Sequence, residues 1–264
     1  MNEFARLSIN CKAALVVCVL DDYTSKPVSG GYTKVSLDGI RQNPMNKNGH
    51  YVFTNIDNGV YTMRISSKHY FDVITEVDIG KSYNHAPVIY IRLKPMPSYT
   101  FDAGAGLLRL KLQDKQGGQL AGAQVEAVII TKDNYRAKLV HKQAKAGDDR
   151  ISLICAGGWL THGEVLFVQD EDRSEYCTID SCEDYEGGVI KLRQPLTHEH
   201  RQGTLLMPAV RTATDERGEA VVYFKYFAVK AFEVQLKLTH KSKSASRNAP
   251  VEEGKSLYLG QIKL

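Results

Sequence analysis

The chain has 264 residues, 34 basic against 30 acidic, with 43% hydrophobic and 24% charged side chains. That length allows two domains or three small ones, and the composition belongs to a globular protein, not to a disordered tail or a membrane protein. A net charge of +4 is too balanced to make nucleic acid the default partner, and 21 glycines with 14 tyrosines lean towards many short strands.

The first apolar stretch, Ala13 to Leu20, contains Cys18 and is closed at once by Asp21-Asp22. A secretion signal would need a basic start, a cleaner apolar core and a small-residue cleavage site, so the stretch is expected to be a buried strand and synthesis to be cytoplasmic. No apolar run reaches the length needed to span a bilayer. The five cysteines (Cys11, Cys18, Cys155, Cys177 and Cys182) form no dense framework, so they are expected to be reduced and packed as small apolar side chains.

After that strand come a polar turn through Pro27-Val28-Ser29-Gly30-Gly31 and an alternating run at Thr33–Leu37. Asn46-Lys47-Asn48-Gly49 predicts a turn, since glycine takes positive φ without steric cost. His50–Phe53, Val60–Ile65, Val73–Ile79 and Val88–Leu93 follow as strands. Strands at this spacing, with turn signals between them and no amphipathic helix, predict a sandwich or barrel. Lys94-Pro95-Met96-Pro97-Ser98 reads as a linker, because its two prolines cannot donate to a sheet.

Beyond the linker the pattern begins again. Leu108–Asp114 resembles the opening strand, and Gln119–Ala127 matches Pro27–Leu37. The next counterparts lie far downstream: Thr214–Phe224 aligns with Asn46–Phe53, and Phe232–Leu238 with Val60–Ile65. The second unit is therefore expected to be split by an insertion at 141–208. Without it, 98–264 keeps 99 residues, close to the 97 of the first unit. Inside the insertion, Arg150–Leu153, Glu164–Val168, Glu175–Ile179 and Val189–Leu192 predict four short strands, which can close a barrel-like module only with help from the flanking chain.

Pro27-Val28 to Val35, Asn48–Phe53 and Gly59-Val60-Tyr61 resemble the carboxypeptidase regulatory-like, or transthyretin-like, family of β-sandwich domains. Asp215–Phe224 keeps the turn in the second unit, while Ala231-Phe232 replaces the glycine–tyrosine pair. Gly163–Val168, Glu175–Ile179 and Leu192–His200 are similar to a small β module of bacteriophage tail and baseplate proteins and of some exported bacterial proteins. Neither resemblance implies catalytic residues.

His198-Glu199-His200 with Cys177 and Cys182 could form a zinc set, but the spacing is not a zinc spacing, and five residues along a regular strand put the two cysteines on opposite faces. The expectation is a structural turn whose histidines bond locally. The acidic stretch Asp170-Glu171-Asp172, Glu175, Asp180, Glu183, Asp184 and Glu186 lacks the EF-hand pattern and reads as a solvated face. Nothing in it fixes a glycosidase pair. No nucleophile elbow, phosphate loop or dinucleotide glycine set occurs. Lys237, His240, Lys241, Lys243 and Arg247 read as a flexible, solvated hairpin loop or as a contact for an acidic partner.

The expected fold is all-β: two transthyretin/immunoglobulin-like β-sandwiches, the second interrupted by a small β-barrel-like insertion. The domains are 1–97, 98–140 with 209–264, and 141–208. The expected function is non-enzymatic, as a structural or accessory component of a phage tail or phage-tail-like contractile injection particle such as its baseplate. It has no catalytic residue, no cofactor and no metal. Its partners would be other protein subunits of a larger assembly, a homo-oligomer included, with no nucleic acid and no membrane. It would be made in the cytoplasm and could be incorporated into a virion or released particle. The alternative is an adhesin or carbohydrate-binding surface module, with exposed aromatics among Tyr83, Tyr99, Tyr135, Trp159 and Tyr185 stacking on sugars. Both readings rest on analogy of fold.

Overall fold

A computed structural model describes residues 12–28, 31–80, 88–140, 143–184, 188–225 and 227–264. Cys11, Tyr83, Tyr185 and Glu186 lie outside them. The chain forms two compact units, Met1–Leu93 and Lys94–Leu264. No helix among the described residues is long and apolar enough to cross a membrane.

The first unit contains β1 (Ala13–Asp21), β2 (Lys34–Leu37), β3 (Met45–Lys47), β4 (His50–Thr54), β5 (Gly59–Ser67), β6 (Tyr70–Ile79) and β7 (Val88–Leu93). They make two sheets, β3-β4-β1-β7 and β2-β5-β6. Alternation supplies the core: Val35 and Leu37, Tyr51 and Phe53, Met63 and Ile65, Val77 and Ile79 are buried at period two. The turn between β3 and β4 is shorter than the sequence reading. Only Asn48 and Gly49 form it, both at positive φ (53° and 81°), which is the demand of a two-residue hairpin turn. Glycine is required there twice over, because a Cβ on Gly49 would lie 2.8 Å from the Pro27 Cβ. Asp21 ends β1: its buried carboxylate accepts the Tyr23 and Thr24 N–H groups and the Tyr70 hydroxyl, tying the turn to β6.

In the second unit, the strands are β8 (Gly106–Gln113), β9 (Gln124–Ile129), β10 (Ala137–Leu139), β11 (Gln143–Ala144), β12 (Arg150–Cys155), β13 (Val165–Gln169) and β14 (Glu175–Asp184). They continue as β15 (Val189–Leu192), β16 (His200–Arg201), β17 (Leu205–Ala213), β18 (Glu219–Phe224), β19 (Ala231–His240), β20 (Lys243–Glu252) and β21 (Ser256–Lys263). The sandwich of the first unit is repeated. β8 pairs antiparallel with β18 and parallel with β21, as β1 does with β4 and β7, and β9-β19-β20 repeats β2-β5-β6. The bridge Leu20–Pro27 recurs as Gln113–Gln119.

Between β9 and the sandwich half of β17 the chain builds a barrel. Its strands run in the order β10-β12-β15-β14-β13-β17, and β17 pairs back onto β10 to close the ring of six. The help that the four central strands need comes from the flanks: a three-residue strand on one side and the first half of a nine-residue strand on the other. The barrel has its own core, with Leu139, Ile151, Leu153, Leu166, Val168, Ile179, Ile190, Leu192 and Leu206 among its buried residues.

The basic run is not a flexible loop. Residues 231–240 and 243–252 pair in unbroken antiparallel register from Ala231–Glu252 to His240–Lys243, leaving a two-residue turn. The reason is tertiary: β19 is held on its other side by β9, and it imposes strand geometry on a serine-rich partner of low intrinsic preference.

Candidate functional site

Two groups on the barrel collect the polar chemistry of the insertion. The first surrounds His200, on β16, whose side chain is fully buried. Its Nδ1 lies 2.9 Å from the Asp170 carboxylate and its Nε2 2.9 Å from that of Glu175. Ionised carboxylates only accept, so both contacts are hydrogen bonds when both ring nitrogens carry protons. Glu175 also accepts the N–H and hydroxyl of Thr197 and the N–H of His198. Burial alone would raise its pKa; these bonds outweigh burial and hold the carboxyl below its ordinary value.

The structure corrects three expectations here. His200 does not bond locally: its partners are 25 and 30 residues away in sequence, while His198 stays half-exposed beside Thr197. The acidic stretch is not uniformly solvated, since Asp170 and Glu175 turn in to clamp the ring, Asp180 pairs with Lys191 and Glu183 with Arg150. Cys177 and Cys182 do not lie on opposite faces. A register shift between Ile179 and Ser181 resets the alternation, and both cysteines pack on the barrel core. Among the described residues no group of three His, Cys, Asp or Glu is arranged to hold a metal.

The second group is the loop between β12 and β13. Arg136 enters the sheet through its backbone, donating its N–H to Leu206 and accepting that of Ala156. Its side chain is mostly buried and folds under the loop. Nε donates to Glu164 at 2.7 Å, while Nη1 and Nη2 reach the carbonyls of Gly157, Gly158 and Trp159. Glu164 in turn accepts the N–H and hydroxyl of Thr161. One guanidinium thus holds three successive carbonyls, a use of its planar donor fork that lysine could not copy. Gly158, at φ +61°, supplies the bend. The loop then places two neighbouring apolar residues oppositely: Leu160 enters the barrel core at 6% exposure, and Trp159 stands at 65%. Nearby on β12, Ile154 is 64% exposed.

The barrel exposes two large apolar side chains, Trp159 and Ile154. Burial raises the Cys155 thiol above its ordinary value and pushes that of Cys177 up to about 12. Cys18, Cys155, Cys177 and Cys182 are free of disulfides. Of the other aromatics expected to be exposed, Tyr99 and Tyr135 are half-buried, and Tyr99 packs edge-on against Phe101 at 4.7 Å. Trp159, the single tryptophan of the chain, is exposed, as are Tyr32 and Tyr258, which the sequence reading did not single out. Sequence reasoning found Trp159 but missed Arg136 and Glu164, which carry no motif.

No family model matches the chain, and no curated protein matches it. Among solved structures it is similar to the Bacillus anthracis TIE protein at 11% identity and TM-score 0.27, over 96% of this chain and 50% of that one. The chain therefore spans about half the length of that protein. It is also similar to the shaft pilin SpaA of Lactobacillus rhamnosus GG at 10% identity and TM-score 0.25, over 96% and 97% of the two chains. A third is BcpA, the major pilin subunit of Bacillus cereus, at 8% identity and TM-score 0.26, over 92% and 69%. This finding overturns the phage-tail expectation: these solved chains are pilins and the TIE protein, not tail or baseplate components, and that reading is dropped.

Proposed function

We propose that the protein is a non-catalytic, adhesin-like structural protein whose recognition surface is the Trp159 loop of the barrel, with carbohydrate as the ligand class. The observation that carries this reading is the presentation of Trp159. An indole held out on a loop that a buried guanidinium and carboxylate keep in place offers a large apolar face at little ordering cost, the property that makes tryptophan an anchor residue in interfaces. Under this reading the sandwiches, which we take as carboxypeptidase regulatory-like domains, serve as spacers and as contacts for other protein subunits, further copies included.

The chain carries its own probe, since all tryptophan emission comes from the loop. Titration with a panel of bacterial and host polysaccharides is expected to shift and saturate that emission for at least one glycan. Trp159→Ala should abolish retention on the same glycan column while leaving the melting curve unchanged, a loss of about 2 kcal/mol or more in binding, or roughly thirtyfold in Kd. Binding that survives Trp159→Ala, or a panel that leaves the emission untouched, would remove the reading.

A further inference from the structure

The first and last strands of each sandwich are partners, and they run parallel. In the first unit β1 and β7 pair from Val16–Val88 to Asp21–Leu93 without interruption, and Asp22 N–H extends the ladder to the Leu93 carbonyl. In the second, β8 and β21 pair from Leu107–Ser256 to Gln113–Lys263, with one shift between Tyr258 and Gln261. The Leu107 N–H to Lys255 and the Leu264 N–H to Gln113 close the two ends of that ladder.

Parallel pairing fixes where the chain enters and leaves. It reaches each ladder at its N-terminal end and departs from the C-terminal end, one strand length away. A pull along the chain therefore slides the two strands past each other along their own axes, and all the inter-strand bonds are strained together. Had the terminal strands been antiparallel, the same pull would part them one bond at a time. Each bond is worth only about 0.5–1.5 kcal/mol net, so sharing the load is what raises the barrier. Forced unfolding is governed by that barrier rather than by equilibrium stability.

The barrel lies off this path. It leaves the sandwich after β9 and returns through β17, both of which lie between β8 and β21 in sequence. While the β8–β21 ladder holds, tension passing along the chain crosses the unit through β8 and β21 and leaves the barrel unstretched.

We propose that the protein is a tension-bearing element, with two shear ladders in series along the chain and the barrel shielded behind the second. This goes beyond the recognition reading and stands without it, since it uses only the sandwich strands.

Single-molecule pulling on the full chain, with handles at the two termini, tests it. Extended chain spans about 3.5 Å per residue, so Ala13–Leu93 should release roughly 280 Å, the second sandwich without its barrel roughly 310 Å, and the barrel (Ala137–Leu206) roughly 245 Å. The barrel step should appear only after the second sandwich has opened. A second geometry loads the same ladder differently. Ala103 and Glu253 are exposed and precede β8 and β21, and a Cβ on Gly254 would lie only 2.9 Å from the Ala103 carbonyl oxygen, so both positions sit at one end of the ladder. Click handles at Ala103 and Glu253 peel the ladder instead of shearing it, and the force that opens it should fall several-fold. Equal forces in the two geometries would overturn the proposal, as would a barrel step that precedes the ladder. Neither result bears on whether Trp159 binds a glycan.

Discussion

His200→Ala removes the ring that Asp170 and Glu175 share. The two carboxylates are left at 17% and 11% side-chain exposure, too buried for water to replace the lost partner fully. Breaking a buried pair by deleting one member costs about 3–5 kcal/mol. Glu175 keeps its bonds from Thr197 and His198, which points to the lower end, about 3 kcal/mol. For a unit of this size that is a fall in Tm of about 6–12 °C. Trp159 emission follows the second unit and far-UV circular dichroism follows both units, so the variant should show the second unit melting early while the first unit keeps its transition. The acid limb adds a second check. A carboxyl whose pKa is lowered in the fold contributes stability above its unfolded pKa and loses it as pH falls through the folded one. Glu175 is such a group, so barrel stability should drop as pH falls below the ordinary carboxylate range, and less steeply in His200→Ala, where one of the bonds that lowers the pKa is gone. A Tm change under about 2 °C, with an acid limb like that of the wild type, would show that the clamp contributes little and that the reasoning from burial is wrong.

Two further outcomes follow from the architecture. Replacing Ala137–Leu206 by Asn-Gly joins Arg136 to Met207 as a hairpin; the shorter loop lowers closure entropy by about 3 kcal/mol, against about 1.5–3 kcal/mol for uncovering Met207, so the sandwich should fold cooperatively with Tm within a few degrees, and calorimetry showing no transition would mean that it depends on the barrel. Thiol titration at pH 8 should modify Cys177 only at the rate of unfolding, because the group is buried and pushed up to about 12; rapid labelling of the native protein would refute its placement in the barrel core.

The parts of this fold that were legible in the sequence are those written in local alternation. Thr33–Leu37, Val60–Ile65 and Phe232–Leu238 each expose one face and bury the other, and the repeat shows because β8 and β9 follow one another much as β1 and β2 do, and β18 and β19 much as β4 and β5 do. The closure of the barrel was not legible. Ala137-Lys138-Leu139 is too short to show a period, and Pro208 interrupts the run that becomes β17. Nor could a bulge be read that turns Cys182 back towards the core, since an extra residue in one strand is defined only by its partner. The His200 clamp was hidden for the same reason: its carboxylates lie on a different turn and strand, and only barrel closure brings them to the ring.

How the barrel is attached decides what a contact at Trp159 can do. A module on two flexible tethers would turn freely and could not orient a bound surface. Here β17 is one continuous strand: Leu205–Pro208 pairs with β13 in the barrel and Ala209–Ala213 with β9 in the sandwich. The seam is locked from the side as well. Arg211 on β17 binds Glu126 of β9 at 2.6 Å and lies over the ring of Tyr176 on β14, 4.1 Å from its centre, and that ring packs edge-on against Phe167. A guanidinium over an aromatic face adds about 0.5–2 kcal/mol, more where water is excluded. Burial, with the Glu126 charge nearby, pushes the Tyr176 phenol up to about 12. The loop that carries Trp159 is therefore fixed in direction with respect to β9 and β19, and under the proposed recognition reading a ligand bound there would be held by the sandwich.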